Sequence, residues 1–518
     1  MTHNKFLPRV LAAAAAMMLL AGCGSKADPG FSPANPVNIT IWTYYNGEQL
    51  EAFNALVDEF NSTVGKEQGI TVESSSHGSV TDLENNVLAS AEGKVGAEAM
   101  PNIFSAYADT AYALDEMGQI ANLSDYLSEE DRAAFIEDYL SEGDFSGSGS
   151  IKIFPVAKSV ELLFLNETDW EPFAAATGAT YDDLATIEGL VSVAERYYEW
   201  TDAQTPDIPN DGRAFFGRDA MANYMLIGAK QLGCTIFDAQ DGSMTLNFDH
   251  DAVRTLWDNY YVPFIKGYFS ASGRFRSDDV KTGNIIAYVG SSSSATFFPT
   301  QVIADDMDSH DITRKALESP KFANGEDYAV QQGAGMVVTK ASDAEIQASL
   351  VFLKWFTSPE HNITFSVNSG YLPVTHEGNS IDAIRASGLA LSDEMDEVLS
   401  AAVDTVNENH LYTPHAFSGG TNARAILEYS MSDKASADRA AVKEAMAQGQ
   451  SFEEASAQFL SDECFEAWYQ DTLATVYKGN IIKNLIMDCQ SYAKYRPNET
   501  TGGIFVSWRR KEELPTGA

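Results

Sequence analysis

The sequence predicts an α/β protein of two lobes, and three features of the 518-residue chain support this fold class. Strand and helix patterns alternate from Val37 to Gly118, and a more helical region follows. Strand-like segments then return near residues 285–289 and 327–339. The chain is also too long for one ordinary hydrophobic core. An α/β region that is interrupted and later resumed indicates lobes between which the chain crosses more than once, with a cleft between them.

Alternating elements in the first part predict parallel strands covered by helices. Residues 37–42 alternate in polarity as a strand does, and apolar residues between 50 and 60 recur at helical spacing. The first predicted elements are a strand at 37–42, a helix at 50–60, a strand at 70–73, a helix at 80–92, a strand at 101–107 and a helix ending at Met117.

The remaining elements are predicted by the same patterns. Residues 144–150 are rich in Gly and Ser and predict a turn or a hairpin tip. We predict strands at 151–155, 160–165, 245–248, 285–289 and 327–339, and helices within 170–200, at 220–232, 252–261, 342–357 and through most of 380–478.

The start of the chain has the pattern of an export signal. Lys5 and Arg9 precede an apolar run at 10–20, which is too short to span a bilayer. Leu20-Ala21-Gly22-Cys23 resembles the bacterial lipobox, at which the Cys sulfur receives diacylglycerol and the chain is cut before it. We therefore expect a signal peptide at 1–22, a lipid-bearing Cys23 with palmitate-type acyl chains, and a flexible linker at 23–36. The alternative is a plain secretory signal.

Charge and cysteine content exclude several classes of partner. The net charge of −40 would repel phosphate backbones, so no nucleic-acid partner is expected. Besides Cys23, the cysteines are Cys234, Cys464 and Cys489, without CxxC spacing, so no zinc site is expected. A Cys464–Cys489 disulfide and free buried thiols both remain open. No cofactor or metal is predicted.

Several stretches, in order, resemble the extracellular solute-binding proteins of ABC importers, in the family 1 group that includes maltose- and glycerol-3-phosphate-binding proteins. The stretches are the lipobox, Ile39-Thr40-Ile41-Trp42, Met100 to Phe104, Pro155 to Asn166, Ser342 to Glu360 and Gly370-Tyr371-Leu372-Pro373-Val374. The resemblance covers roughly residues 37–430, and the region after about 431 matches less clearly.

The resemblance implies a two-lobe periplasmic-binding-protein-like fold of type II, with hinge strands and an interlobe ligand cleft. Lobe 1 would comprise 37–158 and 333–368, and lobe 2 would comprise 159–332 and 369–518. It also implies a lipid-anchored, extracytoplasmic monomer that delivers a small polar solute, a sugar or a glycerol-phosphate-like compound, to an ABC permease. The alternatives are an exported carbohydrate-active hydrolase and a surface adhesin. The sequence contains neither GxSxG nor HExxH.

Candidate ligand residues follow from the positions of aromatic, hydroxyl and charged side chains. Trp42, Tyr44 and Tyr45 follow the first strand, where α/β proteins gather ligands, although ordinary packing explains them equally well. Lys158, Ser159 and Glu161 lie on the predicted crossover, and a Lys158–Glu161 hinge ion pair is the alternative. Ser291 to Ser294 follow a buried strand and predict either an anion-binding nest or a plain loop.

By resemblance to the glycerol-3-phosphate-binding members, five positions would grip a phosphate. These positions are Ser159, Ser292, Gly333, Tyr371 and Arg424. Glu161 would repel an anion unless it is paired, which puts the phosphate interpretation in doubt. Arg213 and Arg218 are expected on the solvated surface.

Overall fold

The computed structural model describes residues 30–240, 243–303 and 309–487, so the predictions for Cys23 and Cys489 lie outside the described residues. The strands are β1 (Val37–Thr43), β2 (Ile70–Ser76), β3 (Ile103–Ala106), β4 (Glu161–Asn166), β5 (Phe216–Arg218), β6 (Phe237–Gln240), β7 (Ser243–Leu246), β8 (Ala287–Ser291), β9 (Gln301–Val302), β10 (His310–Asp311), β11 (Arg314–Glu318), β12 (Tyr328–Val330), β13 (Gly335–Val338) and β14 (His410–Tyr412).

The α-helices are α1 (Gly47–Ser62), α2 (Val64–Gln68), α3 (Val80–Ala91), α4 (Ala108–Glu116), α5 (Glu129–Ala133), α6 (Glu137–Ser141), α7 (Glu167–Thr177), α8 (Ile187–Asp202), α9 (Met221–Gln231), α10 (His250–Lys266), α11 (Arg276–Lys281), α12 (Asp343–Phe356), α13 (Pro359–Ser369), α14 (Ile381–Ala386), α15 (Asp393–Glu408), α16 (Gly420–Ala447), α17 (Phe452–Ser456) and α18 (Asp462–Met487). Short 3-10 helices span Leu123–Asp125, Tyr181–Leu184 and Ser292–Phe297.

The first lobe is built on a four-stranded sheet in the order β13-β3-β1-β2. β1 is parallel to both β2 and β3, which confirms the predicted parallel strands, and β13 joins the edge antiparallel to β3. Ile39 and Ile41 of β1 face a core that also contains Phe53 of α1 and Phe352 of α12. The period of two along the strand and the helical stripe on α1 therefore meet in one apolar layer.

The second lobe is built on a four-stranded sheet in the order β11-β4-β8-β5. All six residues of β4 are buried, because apolar clusters cover both faces of the sheet. Leu163 and Leu165 face one cluster, whereas Leu162 and Phe164 face the other. A strand buried on both faces explains why residues 161–165 contain no alternation of polar and apolar side chains.

Three segments of chain pass side by side where the lobes join. Ser159 and Gln332 exchange two backbone hydrogen bonds of 3.0 and 2.8 Å, and Lys158 is paired with Leu372 in the same way. The predicted strand at 327–339 is wrong as a single element, because Gly333 adopts a φ of +88° and separates β12 from β13. The predicted strand at 151–155 is reduced to an isolated bridge from Phe154 to Met336.

The helices after residue 420 pack onto the core of the second lobe. Leu427 and Met431 of α16 are buried in that core together with Phe465 and Trp468 of α18. The Trp468 ring lies 4.8 Å from the ring of Trp257, between centroids. Among the described helices, none combines the length and apolar character needed to cross a bilayer. The residues that bound the two lobes remain a prediction.

Candidate functional site

A cluster of tyrosine and serine hydroxyls, here called the hydroxyl cluster, lies between the two sheets. The Tyr44 hydroxyl, just beyond β1, is 3.2 Å from the Tyr371 hydroxyl on the crossing segment at 370–374. At the end of β8, Ser291 Oγ donates to Ser159 Oγ at 2.9 Å and lies 2.9 Å from Ser293 Oγ. Burial raises the pKa of Tyr44 and Tyr371, so both phenols keep their protons and remain hydrogen-bond donors.

Two other predicted aromatic residues are core residues. Tyr45 is 1% exposed, and its ring lies 5.4 Å from both Phe53 and Phe365. Trp42 is buried, and its ring centroid lies 4.4 Å from that of His77. Of these three residues, Trp42 lies within β1, and Tyr44 is the one that lines the groove between the lobes. Roles for all three in binding stay predictions.

The charged residues on the crossover have partners that differ from the predicted ones. Lys158 is fully buried, and its Nζ donates to the Glu142 carboxylate and, at 2.8 Å, to the Gly333 carbonyl oxygen. Glu161 instead accepts from the Arg218 guanidinium. The alternative of a Lys158–Glu161 pair is therefore wrong, as is the surface position expected for Arg218, which is 7% exposed. A buried guanidinium needs a carboxylate, and Glu161 supplies it for Arg218.

Arg424 extends from α16 toward the first lobe. Its Nη2 donates to Asn223 Oδ1, and Asn223 Nδ2 donates to Glu161 at 2.8 Å, so the guanidinium is held in place by the second lobe. Across residues 30–240, 243–303 and 309–487, no carboxylate oxygen lies within 4.0 Å of it. Arg424 is therefore positioned without an ion-pair partner and can donate to a solute between the lobes.

Two carboxylates of the first lobe face Arg424. Glu84 on α3 accepts a hydrogen bond of 2.8 Å from Thr110 Oγ1 on α4. Burial raises the pKa of Asp109 to about 6, with the nearby Glu84 charge adding to the rise and Arg424 opposing it. Burial also raises the pKa of Glu84. A Cβ at Gly420 of α16 would lie 2.2 Å from Asp109 Oδ1, so the two lobes are in contact here.

Ser292 and Gly333 hold the crossing segments together. Ser292 is fully buried, and its Oγ donates to the Gly370 carbonyl oxygen at 3.0 Å. At Gly333, a Cβ would lie 2.6 Å from the Ala157 carbonyl oxygen, and the positive φ also favours glycine. The structure gives both residues a structural role, and their contact with a ligand stays a prediction.

An open groove of about 960 Å³ runs between the lobes from the hydroxyl cluster outward. Its first-lobe wall is mostly amide and hydroxyl groups, whereas its second-lobe wall contains exposed aromatic rings. The lining includes Tyr44, Asn46, Gln49, Ser79, Thr81, Arg274, Phe275, Ser293, Phe297 and Phe298. In the part of the chain that the structure describes, no group of His, Cys, Asp and Glu side chains is arranged to hold a metal ion.

Residues 55–387, more than half of the chain, match the family described as bacterial extracellular solute-binding protein. The chain belongs to this family. Membership places this solute-binding protein outside the cytoplasm and agrees with a groove lined by both lobes. No curated protein matches the chain.

Solved structures of the same fold include three binding proteins. Cyclic α-maltosyl-1,6-maltose binding protein from Arthrobacter globiformis has a TM-score of 0.61 at 16% identity, over 85% of this chain and 99% of its own. UgpB from Mycobacterium tuberculosis, in complex with glycerophosphocholine, has a TM-score of 0.61 at 16% identity, over 87% of this chain and 100% of its own. Lmo0181 from Listeria monocytogenes, in complex with cycloalternan, has a TM-score of 0.60 at 15% identity, over 87% of this chain and 99% of its own. At these identities the likeness shows the two-lobe fold.

Sequence reasoning missed several polar and aromatic residues at the junction of this solute-binding protein's lobes. Asp109 lies in the first turn of α4, directly beyond β3, and the rule that selected Tyr44 after β1 would have found it. Glu84 lies near Arg424, and Glu142 and Asn223 are the partners of Lys158 and Arg424; no spacing in the sequence relates them to these residues. Phe275 lies on a loop whose position depends on the folded second lobe.

Proposed function

We propose that this protein captures a small polar solute of the sugar or glycerophosphate class between its lobes and delivers it to the permease of an ABC importer. In this proposal it acts as a monomer tethered through lipid on Cys23, and it catalyses no reaction. The observation that carries the proposal is the hydroxyl cluster together with Arg424, which has no ion-pair partner among the described residues; Tyr107 lies near both Tyr371 of the cluster and Arg424.

The chemistry of this junction suits a solute rich in hydroxyl groups. Tyr44 and Tyr371 donate as protonated phenols, and Ser291 and Ser293 both donate and accept. Arg424 offers a fork of N–H donors that Asn223 holds in position. The solved relatives support the same class, since they were named for, or crystallised with, maltosyl sugars, cycloalternan and glycerophosphocholine. The paired crossing segments could serve as a hinge on which the lobes close.

Thermal stability measured against a solute panel tests the proposal. The panel contains neutral mono- and oligosaccharides, sugar phosphates and glycerophosphodiesters, and a solute at a hundred times its Kd should stabilise the protein by about 2.7 kcal/mol. Arg424→Ala should abolish the response without lowering the melting temperature of the free protein. Arg385→Ala is the matched control, because Arg385 is an exposed arginine that pairs with Asp396 at 2.7 Å and does not line the groove.

Four outcomes would contradict parts of this proposal. A panel without a stabilising compound would contradict solute capture, and an unchanged affinity in Arg424→Ala would remove Arg424 from the site. Turnover of a panel compound would favour the exported hydrolase instead. For the anchor, Cys23→Ala should move the protein from the membrane fraction to the medium or periplasm, and retention at the membrane would refute lipidation at this cysteine.

A further inference from the structure

The groove between the lobes extends well beyond the hydroxyl cluster. Its volume of about 960 Å³ lies at the upper end of the roughly 300–1,000 Å³ that small-molecule pockets span. Tyr44 and Ser293 belong both to the hydroxyl cluster and to the groove lining, so the two spaces are continuous. A single sugar unit would fill the inner end and leave the outer part empty.

Two exposed aromatic rings form part of the second-lobe wall of this outer part. Phe275 is 52% exposed and Phe297 is 51% exposed. The Phe275 backbone N–H donates to Asp278 Oδ2 at 3.1 Å, which fixes the residue at the start of α11. Phe297 closes the 3-10 helix at Ser292–Phe297, and its ring lies 3.9 Å from the Cβ position of Gly47 in the opposite lobe. Both residues are therefore held in place and about half exposed, and the Arg274 guanidinium lies 5.2 Å from the centroid of the Phe275 ring.

The opposite wall of the outer groove is polar. Asn46, Ser79 and Thr81 supply an amide and two hydroxyls from the first lobe. The second-lobe wall also contains two acidic and two basic side chains, those of Asp219, Asp278, Arg274 and Lys281. A ligand that presents apolar faces to the rings and hydroxyl groups to these polar side chains fits both walls. A chain of sugar rings has this chemistry, because each ring carries C–H faces as well as a hydroxyl rim.

The charges at the inner end disfavour an anion. Glu84 and Asp109 of the first lobe face a single guanidinium, that of Arg424. Glu161 and Glu142 add no free negative charge, because they are paired with Arg218 and Lys158. A phosphate seated beside Arg424 would meet two carboxylates, which costs binding energy, whereas a neutral hydroxyl can donate to either one.

We infer that the solute is an uncharged, extended oligosaccharide whose inner units bind the hydroxyl cluster and whose outer units stack on Phe275 and Phe297. This inference rests on the proposed function and narrows it. Phe275 and Phe297 then determine specificity for chain length, because a short sugar held at the inner end does not reach them.

Titration calorimetry on the mature chain tests this assignment with two series of probes. One is a set of neutral glucose, xylose and mannose oligomers from monosaccharide to hexasaccharide, and the other is a set of glycerophosphodiesters. Affinity should rise with oligomer length in one neutral series. Phe275→Ala and Phe297→Ala should each weaken the longest oligomer roughly three- to tenfold and leave the disaccharide unchanged. Tyr429→Ala, which removes an aromatic ring that is 59% exposed outside the groove, should change neither.

The outcomes separate this inference from the function on which it rests. A monosaccharide or a glycerophosphodiester that binds as tightly as the longest oligomer would overturn the inference while leaving solute capture intact. The same holds if oligomers bind and both phenylalanine variants keep wild-type affinity. If neither series binds, the proposed function itself fails. Melting temperatures of the three variants identify any loss of folding, and variants that melt with the wild type make the affinities directly comparable.

Discussion

Replacing Asp109 by Asn probes the electrostatic cost of bringing the two lobes together at α4 and α16. Burial raises the pKa of Asp109 from 3.8 to about 6 in the folded protein. A shift of about two units corresponds to about 3 kcal/mol between the protonated and charged forms. This is an upper value, because Asp109 keeps some contact with solvent and water screens its charge.

The sign of the pH dependence follows from the direction of the shift. Because the folded-state pKa lies above the unfolded value, the folded protein binds more protons between about pH 4 and pH 6. The contribution of Asp109 to stability therefore falls as the pH rises through this window. Asn has no charge to desolvate. The free energy of unfolding of Asp109→Asn should therefore exceed that of the wild type by up to about 3 kcal/mol above pH 7, and by almost nothing near pH 4.

Urea denaturation followed by tryptophan fluorescence, at several pH values, measures this difference in the free energy of unfolding. Asp58→Asn is the matched control, since it removes one carboxylate from an exposed position on α1 of a chain with a net charge of −40. A stability difference that does not vary with pH would refute the reasoning. So would a destabilised Asp109→Asn at neutral pH, which would mean that attraction to Arg424 outweighs the cost of burial.

Three further substitutions test the contacts that join and support the lobes. Glu161→Gln leaves the Arg218 guanidinium buried without its carboxylate and should cost about 3–5 kcal/mol in urea denaturation, and an unchanged midpoint would contradict the pairing. Gly333→Ala combines a strained φ with a backbone clash and should lower the melting temperature. An unchanged melting temperature would show that the crossing segments can relax. Gly420→Ala places a methyl group 2.2 Å from Asp109 Oδ1 and should hold the lobes apart, seen as a larger radius of gyration in X-ray scattering; identical scattering curves would argue against this contact.

Local sequence signals accounted for most of the elements. Ser342 accepts from the Glu345 N–H in a capping box, and Glu345 lies three residues later in the chain, so the start of α12 is readable from the sequence. The period of two at 37–42 likewise predicts β1, because side chains on one face of the strand, such as Ile39 and Ile41, are buried. These features depend on neighbours within a few residues, and sequence patterns record such neighbours directly.

The partners of buried charges could not be predicted in the same way. Lys158 and Glu161 are three residues apart on the crossover, which suggested an ion pair. Lys158 instead binds a carboxylate of the first lobe, and Glu161 binds a guanidinium of the second. Their partners, Glu142 and Arg218, become adjacent only after the segments between them have folded. The cost of burying a charge predicts that a partner exists, but the tertiary arrangement determines which residue it is.

The late arrival of β13 has a consequence for how the chain reaches its native state after export. β3 has no partner on its outer edge until residues 335–338 pair with it, and every strand of the second sheet precedes them in the chain. A chain that folds from its amino end therefore exposes an open strand edge until residues 335–338 join the sheet, and such an edge is a site for aggregation. Pairing between segments so distant in sequence is also slow. A chaperone that shields this edge outside the cytoplasm would shorten the exposure and raise the yield of folded protein.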